Sequence, residues 1–567
     1  MERGDTLIRR RDFLTVCGVA GYAGYAAVFN GCAPQASPPP PGELGGSNFR
    51  LGHRLRQADF PPPTETIDIP VLIVGAGIAG LSAAWRFCRE TLVTRPRFLV
   101  LELEKKPGGN ARYGQNAISR YPLGAHYLPL PNREARAVRA LLSELGILNG
   151  NPETEAPEYD ERYLCHPLQE RLYRLGIWQD GVVPRLGVPK AELMEQDRFF
   201  ERMAQLRGSR DGAGRRAFAL PVAYSSNDSQ WTELDRLTMH DWMVQQGFHA
   251  PSLHWYVNYA CRDDYGTDYR RVSAWAGIHY FTCRTGKGST PEGKTYDGVL
   301  TAPEGNGWLV EGLRRLITNN ALAPDQSWLR TNQAVYALRQ NTKGCEVDVW
   351  NEASQTSLRV RAEHVIWSAP LFLLPRLVSE LPDDLANTIS TITYAPWLVA
   401  NLTLNSPLPE PGAGARTAWD NVLQDSLGLG YVVATHQNIR LASGPTVLTY
   451  YYALAEHHPA TARQMLLDMS YEDWAKTILK DLSRAHGAVR NRVSHMDIFR
   501  HGHAMARPLP GFREETRRAR LAAGWNKVRF AHADVSGFSL FEEANYHGVR
   551  AAEEILAARG PLRTRLI

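Results

Sequence analysis

Gly75, Gly77 and Gly80 are spaced G-x-G-x-x-G in the stretch I-P-V-L-I-V-G-A-G-I-A-G-L-S-A-A-W-R-F that begins at Ile69. Glycines in this pattern can cradle a pyrophosphate. Gly75 permits a tight turn, Gly77 lets the backbone approach the phosphates, and Gly80 lets a helix pack closely on a strand. A carboxylate follows at Glu102, 22 residues after Gly80, near the distance at which an acid binds a ribose hydroxyl pair; Glu104 is the second candidate. The elements that must hold these groups are also visible. Val71 to Val74 is a short continuous apolar run, as in a buried parallel strand, and a helical stretch runs on through Arg86. Phe98 to Leu101 reads as the second strand and ends at the acid. The predicted unit is a Rossmann-like dinucleotide site.

The next motif is K-K-P-G-G-N-A-R. In flavoproteins of the glutathione-reductase-like type, a Gly-Gly pair follows the ribose acid at this distance, with a basic residue after it. Gly108 and Gly109 match; Asn110 stands where arginine is usual, and Arg112 comes two residues later. The terminal stretch V-R-F-A-H-A-D-V-S-G-F-S-L-F-E-E-A-N-Y-H-G-V-R resembles the strand, acidic turn and helix that end flavin amine oxidases, with Asp534 at the acidic position. E-H-V-I-W-S-A-P, ending at Pro370, resembles the strand that returns to the FAD sheet. A-P-E-G-N-G-W-L-V-E-G-L, from Ala302, resembles a Gly-rich turn near the flavin, with Asn306 between the glycines.

Together these motifs resemble the flavin amine oxidase superfamily, whose relatives include protoporphyrinogen oxidase, phytoene desaturase and spermidine-dehydrogenase-like proteins. The motifs cover about a third of the chain. The resemblance implies an α/β fold: a Rossmann-like FAD-binding domain with an inserted α+β substrate domain. It places FAD-binding segments at 67–130, 305–372 and 511–560, and substrate segments at 131–304 and 373–510. FAD is the implied cofactor, with Gly75, Gly77, Gly80, Glu102, Gly108, Gly109, Arg112 and Asp534 as its binding residues. The last cysteine is Cys345, so the cysteine linkage that some relatives form near the C-terminus is not expected.

Candidate catalytic residues come from segments placed beside the flavin. In Y-P-L-G-A-H-Y-L-P-L-P, His126 is a candidate base or hydrogen-bond partner of the flavin edge, with Tyr127 next to it. Trp308 is a candidate wall of the flavin pocket. Many amine oxidases place a lysine on the strand corresponding to Y-A-P-W-L-V-A-N-L-T-L; none stands there, and Val399 holds the matching place. Tyr546, Asn258 with Arg262, the Tyr450–Tyr452 run and the His501/His503 pair are further positions of interest. No metal site is assigned, because the His-x-His pair has no ligand set to complete it.

The expected activity is transfer of hydride from a small organic donor, an amine or polyamine among the candidates, to noncovalent FAD. Electrons then pass to oxygen or a membrane-side carrier. The alternatives are a flavin-dependent desaturase, a redox-neutral flavin isomerase (G-A-H is similar to a flavin-side loop of galactopyranose mutases) and a noncatalytic electron-transfer flavoprotein. A pocket of aromatics and a carboxylate favours amines; an open apolar tunnel favours a lipid-like substrate.

The 567 residues, with 44% hydrophobic and 22% charged, describe an ordinary globular chain of several domains. Lys and Arg number 64 against 59 Asp and Glu, and no basic run supports nucleic-acid binding. Seven cysteines do not form a disulfide framework. At the start, Arg10 and Arg11 precede an apolar stretch that is thinned by glycine and alanine, as in a twin-arginine export signal over 1–32. Cys32 resembles a lipoprotein processing site, although Phe29 and Asn30 depart from the usual small residues. A Pro-rich linker is expected over 33–66. The expected location is periplasmic or outer-surface, with membrane contact through this N-terminal signal or a lipid anchor.

Overall fold

Strand Glu65–Val74 sits at the centre of a seven-stranded sheet. Phe98–Leu101 and then Leu329–Arg330 lie on one side, and Thr356–Trp367 on the other, all running parallel. Alternate side chains of the apolar run face opposite layers, which is why the whole run is apolar. Val71 and Ile73 meet helices Ile78–Cys88, Gly307–Asn320 and Phe541–Ala557. Leu72 and Val74 meet the strand pair Gln333–Gln340 and Cys345–Asn351. That pair peels antiparallel from the start of Thr356–Trp367, and Val528–Phe530 takes its place beside Val365 to Trp367. These coordinates are a computed structural model that describes residues 38–57, 59–91, 94–320, 327–438 and 444–567.

The second sheet has eight strands, in the order Leu44–Gly46, Val493–Ala506, Tyr394–Leu404, Thr446–Tyr452, Gly430–Val433, Asp420–Leu423, Glu170–Arg174 and Ile177–Asp180. Leu398, Ala400, Leu448, Tyr450 and Ile498 face helices Pro459–Asp468 and Tyr471–Leu482. Trp397, Val399, Val432 and Tyr451 face the opposite way, towards helix Pro251–Tyr265. That helix packs in its own layer with Lys190–Gly208 and Ala274–Thr282. Pro40–Ile567 forms one unit. Among the described residues no helix is long and apolar enough to cross a membrane.

Two elements differ from the sequence reading. The segment expected as linker is built into the body from Pro40 onward. Leu44–Gly46 pairs in parallel with Ile498–Arg500, and Leu51 and Leu55, on and after helix Phe49–Arg54, are buried against the dinucleotide sheet. Its leucines alternate with glycine and charge, so their burial was hidden by the surrounding composition. Helix Arg136–Glu144, placed by sequence in the substrate segment, packs into the apolar layer that includes Phe541–Ala557. Arg10, Arg11 and Cys32, read as an export and processing signal, lie outside the described residues.

One buried cation fastens helix Phe541–Ala557 to helix Ile78–Cys88. The Arg86 side chain is 2% exposed; Nε bonds Glu553 at 2.8 Å, Nη1 bonds Glu90 at 3.2 Å, and Nη2 donates to the Thr564 carbonyl at 2.6 Å. Removing one partner of a buried ion pair leaves an uncompensated charge, at a cost of about 3–5 kcal/mol. Arg86→Met is therefore expected to lower the denaturation midpoint by that order, read by urea unfolding. A midpoint equal to wild type would show the triad contributes nothing.

Candidate active site

The glycine turn is forced by contacts on both sides. Gly75 has φ +100°, and its N–H donates to the Leu101 carbonyl at 2.8 Å. Ser368 Oγ donates to the Val74 and Gly75 carbonyls, at 2.8 and 2.7 Å. A Cβ on Gly80 would lie 2.0 Å from the Gly75 carbonyl oxygen and 2.6 Å from Ser368 Oγ. Gly77 opens onto the second loop, and a Cβ on Gly109 would come within 3.3 Å of the Gly77 Cα. Gly75, Gly77, Gly109 and Ser368 border a cleft of about 760 Å³, further lined by Glu102, Asn306, Val335 and Asp534. That size suits a bound cofactor.

The remaining candidate cofactor residues hold this cleft open. Glu102 accepts from the Ala76 N–H at 2.7 Å and the Glu104 N–H at 2.9 Å. Burial pushes its carboxyl up, against those two donors. Its remaining lone pairs can accept from a ribose hydroxyl. Arg112 borders the cleft, but its guanidinium is engaged with Glu104 at 3.0 Å and the Gly109 carbonyl at 3.0 Å. It positions the Gly108–Gly109 loop. Asp534 accepts from the Tyr394 hydroxyl at 2.6 Å and the Leu371 N–H at 2.9 Å. Burial alone would raise its carboxyl, but His532 and these donors bring it below the usual range. The donor set fits a dinucleotide: bare glycine backbone at a helix start, a ribose-length carboxylate, and a buried Asn306 Oδ1 with no protein partner.

The loop after Gly124 leads from this cleft into a cluster of aromatic rings. Ala125 and Asn306 both border the cleft, and the Asn306 N–H donates to the Ala125 carbonyl at 3.0 Å. Beyond them the His126 ring stacks on Tyr451 at 4.6 Å and lies 5.5 Å from Trp419. Tyr127 meets Trp419 edge-on at 5.9 Å, and its hydroxyl lies near Asp263. The Tyr451 hydroxyl donates to the Gly124 carbonyl at 3.0 Å.

Three carboxylates share this aromatic enclosure. Asp420 and Glu170 are register partners on adjacent parallel strands, so their side chains stand on one face. Asp263 approaches from helix Pro251–Tyr265. Among the described residues none of the three has an ion-pair partner; the nearby Arg284 is committed to Asp264, at 3.0 Å to each carboxylate oxygen. Desolvation raises all three, with like charges adding to it: Asp263 to about 7 beside Asp264 and Glu170, Asp420 well above the carboxylate range beside Asp263 and Glu170, and Glu170 in the same direction beside Asp180. Asp263 and Asp420 are half-buried, whereas Glu170, at the start of its strand, is exposed.

The structure divides the sequence candidates. His126 and Tyr127 lie in the aromatic enclosure. Burial pushes His126 down to about 3, so its imidazole is neutral and a weak base; it serves as wall rather than proton acceptor. Trp308 is not a cleft wall: it packs against Tyr163 at 4.8 Å within the apolar layer. The large ring meets the helical core because its helix turns that face inward, and Asn306 takes the cleft position. Tyr546 packs on Tyr224 at 5.6 Å. Asn258 accepts from the Tyr269 N–H, and Arg262 donates to the Gly428 carbonyl, so both are structural. His501 binds the Leu123 carbonyl at 2.6 Å, and His503 stacks on Phe372 at 4.5 Å. Among the described residues no cluster of three or more His, Cys, Asp or Glu could hold a metal ion. Sequence reasoning missed Glu170 and Asp420. The available signal was parity: in W-D-N-V-L, Asp420 shares a face with the buried Val422.

Residues 78–556 match the family described as flavin containing amine oxidoreductase. Oxidoreductase PigB of Serratia sp. (strain ATCC 39006) is 23% identical over 408 residues, covering 65% of this chain and 57% of PigB. The chain thus spans less than two thirds of that curated relative's length. A putrescine oxidase structure bound to putrescine is 16% identical, with a TM-score of 0.61, over 87% of this chain and 100% of its own. Cyclohexylamine oxidase from Brevibacterium oxydans IH-35A is 15% identical, with a TM-score of 0.59, over 87% and 99%. At these identities the solved structures establish the fold: a Rossmann-like cofactor domain joined to a substrate domain.

Two outcomes follow from this geometry. Gly80→Ala is expected to purify with little or no flavin, because its methyl displaces the Gly75 carbonyl; wild-type flavin content would refute the close packing. Asp420→Asn removes a carboxylate whose folded value lies above its unfolded one. The wild-type penalty is absent below the unfolded value of about 3.9 and grows as pH rises above it. Asp420→Asn is therefore expected to melt higher than wild type at pH about 8, with the difference vanishing near pH about 4. A difference that is flat with pH would contradict the assigned repulsion.

Proposed function

Because the chain belongs to the flavin-containing amine oxidoreductase family, we propose that it oxidises a small cationic amine with noncovalently bound FAD. The observation that carries this reading is the unpaired carboxylate group, Glu170, Asp263 and Asp420, enclosed by aromatic rings beside the cofactor cleft. Two like charges on facing positions repel, and an ammonium between them turns that cost into attraction. Aromatic faces add cation–π attraction. An apolar substrate would gain nothing from these three acids and would leave them unpaired.

Bound FAD supplies the acceptor for a hydride. The chain's own residues supply the rest. Glu170 and Asp420 draw the ammonium into the enclosure. His126, Trp419 and Tyr451 exclude water and fix the donor against the Ala125–His126 turn. Asp263, poised near neutrality, can take the proton an amine must lose before its α-carbon becomes a hydride donor. Solved relatives named for putrescine and cyclohexylamine support an amine, and the paired acids support a diamine among the candidates. We also propose export by the twin-arginine route and lipid attachment at Cys32, supported by Arg10, Arg11 and the residues around that cysteine.

Anaerobic titration of the holoenzyme with mono-, di- and polyamines tests the reading. Loss of oxidised-flavin absorption is expected with at least one class. Glu170→Gln with Asp420→Asn should raise the half-saturating concentration about tenfold or more. Flavin that stays oxidised throughout, or a double variant with wild-type saturation, would overturn it.

A further inference from the structure

Charge along the cofactor cleft does not balance. The acids that border it are all engaged: Glu104 by Arg112, Glu102 by two backbone N–H groups, and Asp534 by Tyr394 and Leu371. Arg500 spends its donors on the Gly45 and Leu466 carbonyls. Three further arginines line the same cleft: Arg56, Arg376 and Arg463. Among the described residues none of the three has a carboxylate within ion-pair distance, and Arg463 makes a single bond, at 3.3 Å, to the Tyr394 carbonyl.

These guanidiniums come from three separate elements. Arg56 lies just after helix Phe49–Arg54, Arg376 on the short helix Leu374–Leu377, and Arg463 on Pro459–Asp468. They nevertheless gather round one ring. His503, stacked on Phe372, is lowered to about 4 by burial and then by Arg463, Arg56, His53 and Arg376. Arg463 is itself lowered by burial and by Arg56. A fold that collects like charges from three elements around one cleft, with no acid among them, is arranged for an anion. The helix start at Gly77 offers a partial charge of about +0.5, less than a diphosphate needs for neutrality. Guanidinium is suited to the task because its planar donor fork matches phosphate oxygens.

We infer that Arg56, Arg376 and Arg463 form a cationic wall of the cleft that binds the FAD diphosphate, in addition to the glycine turn. The inference rests on FAD as cofactor and is independent of the amine reading. It gives the N-terminal segment 44–57 a role: the segment carries one of three phosphate contacts into the cleft. It also means that bound cofactor joins the two sheets electrostatically, since Arg463 lies on a helix of the second sheet's outer layer.

The test follows flavin release from diluted holoenzyme by the rise of free-flavin fluorescence, at low and at high salt. Wild type should release faster at high salt, as screening weakens the wall. The Arg56→Ala, Arg376→Ala, Arg463→Ala triple variant should release about 100-fold faster at low salt and lose the salt dependence, while the triple lysine variant keeps it. Should the triple variant not fold, Arg376→Ala alone carries the test, because that exposed side chain makes no hydrogen bond here and should still speed release about tenfold. Wild-type release rates and salt dependence in these variants would overturn the proposal. A second arm titrates holoenzyme with inorganic pyrophosphate by calorimetry. No binding is expected if FAD already occupies the wall. Binding that disappears in the triple variant would mean the arginines serve a separate phosphate-bearing ligand, and the proposal would fall.

Discussion

The close contact between Gly80 and the Gly75 carbonyl is the constraint on which the rest of the molecule depends. It lets helix Ile78–Cys88 start directly at the end of the central strand. Ser368, at the end of the returning strand, caps the same turn through two hydrogen bonds. The Gly108 N–H then donates to the Ala76 carbonyl at 2.8 Å, which sets the second glycine loop against the first. From that loop, Asn110 accepts the Ala125 N–H at 2.9 Å and so fixes the turn carrying His126 and Tyr127. One backbone clearance therefore sets the position of the cofactor cleft and, through a short chain of contacts, of the aromatic enclosure beside it.

The enclosure works in the opposite sense, because it holds interactions that cost stability. Glu170 and Asp420 oppose each other on neighbouring strands, and Asp263 faces both. A protein selected for stability alone would pair or remove these acids. Their environment is otherwise well built: Arg284 is turned to Asp264, and aromatic rings close the walls. The unpaired charge is the feature a cationic donor would relieve. The cleft shows the complementary imbalance, with three unpaired guanidiniums where a diphosphate is to lie. The two imbalances are of opposite sign and sit on either side of the Ala125 turn.

Much of the cofactor side was legible in the sequence, because glycine spacing, strand length and the Glu102 interval are local properties. Asp534 was legible for the same reason: its turn lies between a strand and a helix that are adjacent in the chain. The acids of the enclosure were not. Asp420 meets Glu170 only because strands 250 residues apart align in register, and no local pattern records that pairing. Trp308 misled because helix phase, which decides the face a ring presents, cannot be settled from a Gly-rich turn alone. His126 follows Ala125, which lines the cleft, but its chemistry depends on packing against Trp419 and Tyr451, which come from remote parts of the chain. The segment from Pro40 read as a tether because proline and glycine dominate it, while the strand it adds lies across the molecule at Ile498.

The central claim is that charge selects the donor, and one measurement isolates charge from shape. Holoenzyme is mixed anaerobically with an amine that bleaches the flavin and, separately, with the alcohol that replaces each amino group by hydroxyl. The account predicts rapid reduction by the amine and none by the alcohol at equal concentration. Equal reduction by both, or reduction by the alcohol alone, would contradict it.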